Sequence, residues 1–186
     1  MLRAVGALAS LVLLSGCAGL ATGYRPEATA ELRDATGRVV GTARLEQVGD
    51  VVHIVVEMKG LPPGVHAVHI HAVGRCEPPD FASAGGHFNP GGRQHGLLNP
   101  QGPHAGDLPN ITIDADGTGR LETVTEGVTL GSGPTTLFDA DGRALVVHAS
   151  ADDFKTDPAG NAGARIACGA IVKAEPPTPA PSPSRY

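Results

Sequence analysis

Tryptophan is absent from the 186-residue chain, and only two tyrosines and four phenylalanines accompany that absence. A core poor in large aromatics has to be built from Val, Ile, Leu and Ala. Positive charge is scarce too: 14 Lys and Arg face 19 Asp and Glu, for a formal net charge of -5. That balance argues against nucleic acid as a partner. It does not exclude a small anion, provided that positive charge is concentrated where the anion binds. No long stretch shows helical periodicity. What is plentiful is Gly (26) and Pro (16), a composition that favours a fold with many turns over a helix bundle. The length suffices for one domain with a proper core.

Cysteine is also rare, and its placement is informative. Arg3 precedes an uncharged apolar stretch, Ala4 to Leu14, that is too short to span a bilayer comfortably. It runs into Leu14-Ser15-Gly16-Cys17, which resembles a bacterial lipobox. Residues 1–16 therefore read as a signal peptide with a lipobox, Cys17 as a lipidated residue, and 17–26 as anchor and tether. An ordinary cleaved leader with a spare cysteine is the plainer alternative. The expected location is the periplasm or cell envelope, with the membrane reached through the lipid. Ala18 gives no inner-membrane retention signal of the Asp kind, a mild preference for the outer membrane. With Cys17 spent on lipid, Cys76 and Cys168 remain, and an oxidising compartment makes a disulfide the default. It would close a loop of roughly 90 residues, worth on the order of 4–5 kcal/mol. Residues 175–186 carry five prolines and read as an extended, disordered tail, which leaves one domain over 27–174.

That domain reads as strands. Ala28 to Arg33 and Val39 to Gln47 flank the hairpin signal Asp34-Ala35-Thr36-Gly37. Val51 to Met58 and Val65 to Val73 follow, then Ile111 to Ile113, Gly119 to Thr125, Leu137 to Asp139, Ala144 to His148 and Arg165 to Lys173. Short strands with turns between them predict an all-β antiparallel sandwich or barrel of about eight strands. Two segments break the rhythm, Gly74 to about Pro109 and Ala149 to Ala164, and loops this long in a compact domain are usually functional or disordered.

Six of the eight histidines fall between His66 and His104, interleaved with glycine. Histidine is the commonest metal ligand. His69 and His71 stand two apart on a predicted strand, so both imidazoles share a face. His148 ends another strand and is expected to meet them across the barrel wall. Neutral imidazoles in that number suit copper, zinc, nickel or iron. The alternative is a run of polar residues on an exposed face. A second group, His87, His95, His104 and Asp107, supplies three imidazoles and a carboxylate, a complete tetrahedral zinc shell. From Gly85 to Gly106, ends included, there are seven glycines and three prolines, so this segment buries little apolar surface and would take one conformation from a metal.

The segments His66-Ala67-Val68-His69-Ile70-His71, Gly86-His87-Phe88-Asn89-Pro90, His95-Gly96, His104-Ala105-Gly106-Asp107-Leu108, Leu145-Val146-Val147-His148, Asp152-Asp153 and Gly160 through Gly169 resemble the copper–zinc superoxide dismutase family. The resemblance covers most of 28–173 and implies a Greek-key β-barrel with two functional loops. It implies copper held by His69, His71, His87 and His148, and zinc held by His87, His95, His104 and Asp107. His87 and Arg165 would be the catalytic residues, the first as a bridging imidazolate and the second as a guide for the superoxide anion. Asp152 would join His69 to His95 from behind. Cys76 and Cys168 would form the family's intrasubunit disulfide.

Three departures stand out. Ala67-Val68 replaces the usual Gly-Phe, and Ala159 falls where a channel-lining threonine often stands. The 149–164 loop carries Asp152, Asp153 and Asp157 against Lys155 alone, which predicts weaker long-range steering. The rival reading is a non-catalytic copper- or zinc-binding lipoprotein on the same fold. A complete copper set together with Arg165 argues for the enzyme. A homodimer is left open.

Overall fold

The computed structural model describes residues 27–175. The leader, the lipobox through Cys17, the tether and the Pro-rich tail lie outside the described residues.

The chain forms β1 (Ala28–Asp34), β2 (Val39–Val48), β3 (Val51–Met58), β4 (Gly64–His66), β5 (Val68–His71), β6 (Ile111–Ile113), β7 (Gly119–Thr125), β8 (Arg143–His148) and β9 (Arg165–Lys173). Alternation sets the faces. Ala28, Ala30 and Leu32 of β1 are buried between more exposed neighbours, and Val52, Ile54, Val56 and Met58 of β3 repeat the pattern. The β1–β2 turn closes because Asp34 Oδ1 accepts the N–H groups of Thr36 (2.9 Å) and Arg38 (3.1 Å). The core is aliphatic as the composition demands: Leu32, Leu45, Ile54, Ile70, Leu108, Ile111, Leu137 and Leu145 are fully enclosed.

Seven strands form one sheet in the order β5-β8-β9-β1-β2-β3-β7, with antiparallel pairing throughout, and β4 pairs with β6. β9 returns beside β1, which gives the Greek-key order with the β1–β2–β3 meander. The β6–β7 turn (Asp114 N–H to Thr118 O, 2.7 Å) links the small sheet to one edge of the large one, and Ala67 links it to the other. The sheet is thereby curled into the all-β barrel-like form that the sequence predicts.

Two predicted strands need correction. Val65 to Val73 is not continuous. At Ala67 the backbone turns from β6 to the β8 end, donating to Ser150 O (2.9 Å) and accepting from His148 N–H (3.0 Å). Leu137 to Asp139 is not a strand. Leu137 donates to Thr129 O (3.0 Å), and Asp139 Oδ1 then takes the N–H groups of Asp141 and Gly142, so the backbone is spent on a turn.

The two long loops lie outside the sheet. Ala149 N–H to Ala164 O (2.8 Å) and Ser150 N–H to Ala162 O (2.9 Å) pin the base of the second. Cys76 and Cys168 are disulfide-bonded, which fastens the start of the first loop to β9 three residues from Arg165. No helix among the described residues is long and apolar enough to cross a membrane.

Candidate metal centre

β5 places His69 opposite Val146 and His71 opposite Ala144. β8 is its hydrogen-bonded neighbour, so His148 reaches the pair along one edge of the sheet. The expected approach across the barrel wall is corrected by that adjacency. The first loop is threaded against β5: Phe88 N–H bonds Ile70 O (2.8 Å) and Ile70 N–H bonds Gly106 O (2.8 Å), which sets His87 beside His71 and Asp107 beside His69. A Cβ on Gly106 would lie 2.2 Å from Ile70 O, so the approach requires glycine.

The result is two adjoining donor groups. His69, His71, His87 and His148 each offer a nitrogen, all within 4.8 Å of one another. His69, His87, His95 and Asp107 satisfy the same limit. His104 joins the second group, its Nδ1 being 3.3 Å from His87 Nδ1 and 3.4 Å from Asp107 Oδ1. Asp107 Oδ1 lies 3.0 Å from both His87 Nδ1 and His95 Nδ1, while its Oδ2 accepts the N–H groups of Gly96 (2.9 Å) and His104 (3.0 Å).

The outer ring nitrogens decide which inner ones are free. His71 Nδ1 lies 2.9 Å from Gly85 O and His148 Nδ1 3.2 Å from Gly163 O. A carbonyl only accepts, so each Nδ1 carries the proton and each Nε2 a lone pair. Those two Nε2 atoms face each other at 3.4 Å. Asp152 sits behind the centre, its Oδ2 2.9 Å from His69 Nε2 and its Oδ1 3.0 Å from His95 Nε2. Asn110 holds it there, accepting Asp152 N–H (2.9 Å) and donating to Asp152 O (3.0 Å). A Cβ on Gly160 would fall 1.8 Å from Asp152 Oδ1, and Gly160 has a positive φ of 62°.

The electrostatics suit cations. Burial pushes His69 down to about 4, His71 to about 2 and His148 to about 3, so all three are neutral donors at neutral pH. His95 moves the other way. Burial opposes its charge, but hydrogen bonds to Asp107 and Asp152 outweigh burial and raise it to about 9. Burial also opposes ionisation of Asp107 and Asp152, yet their histidine and backbone partners hold both well below the usual carboxylate range. Two enclosed carboxylates thus remain ionised. His69 Nδ1 and His87 Nε2 are moreover buried with no hydrogen-bond partner. Orphaned buried nitrogens beside ionised carboxylates fit metal ions.

Arg165 stands near this cluster: Nη1 donates to Phe81 O (2.5 Å) and Nη2 to Gly85 O (2.6 Å). Gly85 O therefore joins Arg165 to His71. Arg165 lines a surface cavity with Pro79, Asp80, Ala82, Gly163 and Ala164. Sequence reasoning missed Asp80 and Asn110, which carry no motif of their own. His66 belongs to neither donor group: its ring nitrogens lie 2.8 Å from His148 O and 2.9 Å from Pro62 O. Of the acidic residues in the second loop, Asp152 is turned fully inward and Asp153 is spent on the N–H groups of Lys155 and Thr156. Asp157 accepts His95 N–H.

Two contiguous histidine-rich donor groups at the edge of a curled antiparallel sheet define a metalloprotein built for a pair of ions. The profile of the copper/zinc superoxide dismutase family (SODC) matches residues 39–171. The chain belongs to the copper/zinc superoxide dismutase family. It is 53% identical over 147 residues to superoxide dismutase [Cu-Zn] 2 of Aquifex aeolicus, covering 78% of this chain and 86% of that one. It is 42% identical over 183 residues to superoxide dismutase [Cu-Zn] of Deinococcus radiodurans, covering 90% and 94%. Among solved structures it resembles a SOD-like protein from Bacillus subtilis, with a TM-score of 0.73 and 38% identity over 77% of this chain and 97% of that one.

Proposed function

We propose that this protein dismutates superoxide, converting two superoxide anions and two protons to dioxygen and hydrogen peroxide, at a copper–zinc site outside the cytoplasm. One observation carries this reading: His87 turns Nδ1 to Asp107 and His104 while its Nε2 is buried without a partner beside the His69–His71–His148 group. His87 is thus the imidazole placed to serve both metals. In this reading His69, His71, His87 and His148 hold copper, and His87, His95, His104 and Asp107 hold zinc. When bound, copper supplies a one-electron couple that imidazoles serve in both oxidation states, and zinc supplies fixed charge without redox chemistry.

The chain's own groups do the rest. Arg165 draws the anion in, and its anchorage to Phe81 O and Gly85 O fixes the guanidinium beside His71. His87 Nε2 is the buried nitrogen able to hold a proton for the departing peroxide. Asp152 keeps His69 and His95 in orientation.

Export through a leader over residues 1–16 and anchorage at lipidated Cys17 complete the proposal. The lipobox-like sequence and the Cys76–Cys168 disulfide, which fits an oxidising compartment, support them. Cys17→Ser should move the protein from the membrane fraction to the soluble one.

The deciding test is metal content together with superoxide dismutation, measured on protein lacking residues 1–17 and loaded with copper and zinc. One ion of each per chain with rapid turnover is the expected result. Zinc bound without copper or turnover would make this a metal-binding relative instead.

A further inference from the structure

Most of the histidines assigned to metals have an accounted second ring nitrogen. His69 and His95 give theirs to Asp152, His71 to Gly85 O and His148 to Gly163 O, and His87 uses both nitrogens between the donor sets. His104 remains. With Nδ1 turned to His87 and Asp107, its Nε2 carries the proton and has the Asp157 carboxylate facing it, Oδ1 at 3.8 Å. The same Oδ1 accepts His95 N–H at 2.7 Å.

We propose that Asp157 is a positioning residue of the zinc set, a second carboxylate placed behind it that orients His104 through the ring and His95 through the backbone. The inference rests on the zinc assignment given above and extends it to a residue of the other loop. Metal-bound imidazoles characteristically donate their free N–H to a carboxylate or carbonyl, which fixes tautomer and ring direction and raises ligand basicity. Asp152 does this by direct hydrogen bonds on one side of the centre; on the other, Asp157 bonds the His95 backbone directly and faces the His104 ring at 3.8 Å from the half-exposed outer wall, near enough for its charge to act on the ring but beyond a direct hydrogen bond. Both belong to the 149–164 loop, whereas His95 and His104 belong to the 74–109 loop. Asp157 is therefore a tie between the loops. Further contact there comes from Leu98 N–H to Phe154 O at 3.0 Å. Gly96 packs so closely on Phe154 that a Cβ would lie 2.2 Å from the Phe154 carbonyl oxygen.

The test uses the mature full-length protein, with zinc affinity read by chelator competition and cobalt(II) substituted for zinc as a spectroscopic probe. Asp157→Ala should weaken zinc binding by about ten- to hundredfold. Asp157→Asn keeps an oxygen for His95 N–H, so metal-free stability should stay at the wild-type level. Its zinc affinity should still fall about tenfold, and the cobalt d–d bands should shift, because His104 loses its anionic partner. Wild-type affinity and an unshifted cobalt spectrum in both variants would overturn the proposal. So would an affinity loss that merely follows a loss of metal-free stability while the cobalt bands stay in place. A wild-type protein that takes up no zinc would overturn the parent assignment as well, which separates the two failures.

Discussion

The assigned copper and zinc sets share His87 but are built by different means. On the copper side, His69, His71 and His148 stand on two hydrogen-bonded strands, and sheet register sets their spacing. On the zinc side, His95, His104 and Asp107 stand on one glycine-rich loop, and side-chain bonds centred on Asp107 and Asp152 set theirs. Register is fixed by a buried apolar sheet whatever occupies the site. A loop with little apolar surface is fixed only by its polar partners and its ion. The strand-borne group should therefore keep its geometry without metal, and the loop-borne group should need the metal to hold its shape.

The largest effects come from breaking one side at a time. His148→Ala removes a copper donor and leaves β8 paired, so dismutation should fall to background while zinc content and melting temperature change little. Retained turnover would remove His148 from the copper set. Asp107→Ala removes the acceptor of two buried N–H groups as well as a zinc donor. It should lose zinc and destabilise the metal-free protein by on the order of 2–5 kcal/mol. Unchanged zinc content would show that the loop is held by something other than Asp107.

Acid and alkali should find the two sides separately in chelator-treated protein. His69, His71 and His148 are depressed to about 4, 2 and 3 from an unfolded value of 6.5. As pH falls below 6.5 the unfolded chain takes up protons that the fold refuses, so stability declines. The slope is on the order of 1 kcal/mol per pH unit for each histidine. His95 is raised to about 9, so its contribution is complete below 6.5 and is lost as pH climbs towards 9. Asp107 and Asp152, both lowered, contribute above their unfolded value near 3.8 and withdraw only in stronger acid. Urea unfolding as a function of pH should give a maximum near 6.5 with a steep acid limb set mainly by the three copper-side histidines, to which His104, also lowered by burial, adds, and a shallow alkaline limb set by His95. A symmetric profile would contradict this division.

How far the sequence could be read follows the same division. Turn signals and β alternation were enough for the all-β architecture, because both report local backbone preference. The donor residues were legible because histidine is rare in such density and period-2 spacing puts His69 and His71 on one face. The break at Ala67 was not legible, since it depends on bonds to His148 and Ser150 far along the chain. Leu137 misled for the opposite reason. It is fully buried and apolar, yet its N–H is spent on Thr129 O in an irregular loop, and the chain turns at Asp139 just after it. Asp157 looked like one more acidic charge, and only the folded loops bring it to His95.

Smaller effects concern the mouth of the copper side. Arg165→Ala should slow superoxide turnover by about tenfold and flatten its dependence on ionic strength, because a fixed cation at the site gathers the anion. An unaltered rate and salt profile would remove Arg165 from the mechanism.

The smallest predicted effect tests the same field with the opposite sign. Asp80 lines the mouth cavity together with Arg165. Burial lowers the Arg165 pKa, and Asp80 is the charge that counters it, so the two side chains feel each other. The Asp80 carboxylate is held in place by Ala82 N–H (2.9 Å), which an asparagine oxygen can also engage. Asp80→Asn should therefore leave the turn intact and remove only the negative charge that an incoming superoxide has to pass. Both groups border solvent, where unit charges several ångströms apart interact by about 1 kcal/mol or less, so the rate should rise by about twofold at low salt. The gain should vanish towards about 1 M salt, where the Debye length shrinks to about 3 Å. A gain that survives high salt would point to altered shape at the mouth and not to charge. No gain at any salt would place Asp80 outside the path of the anion and leave Arg165 to act unopposed.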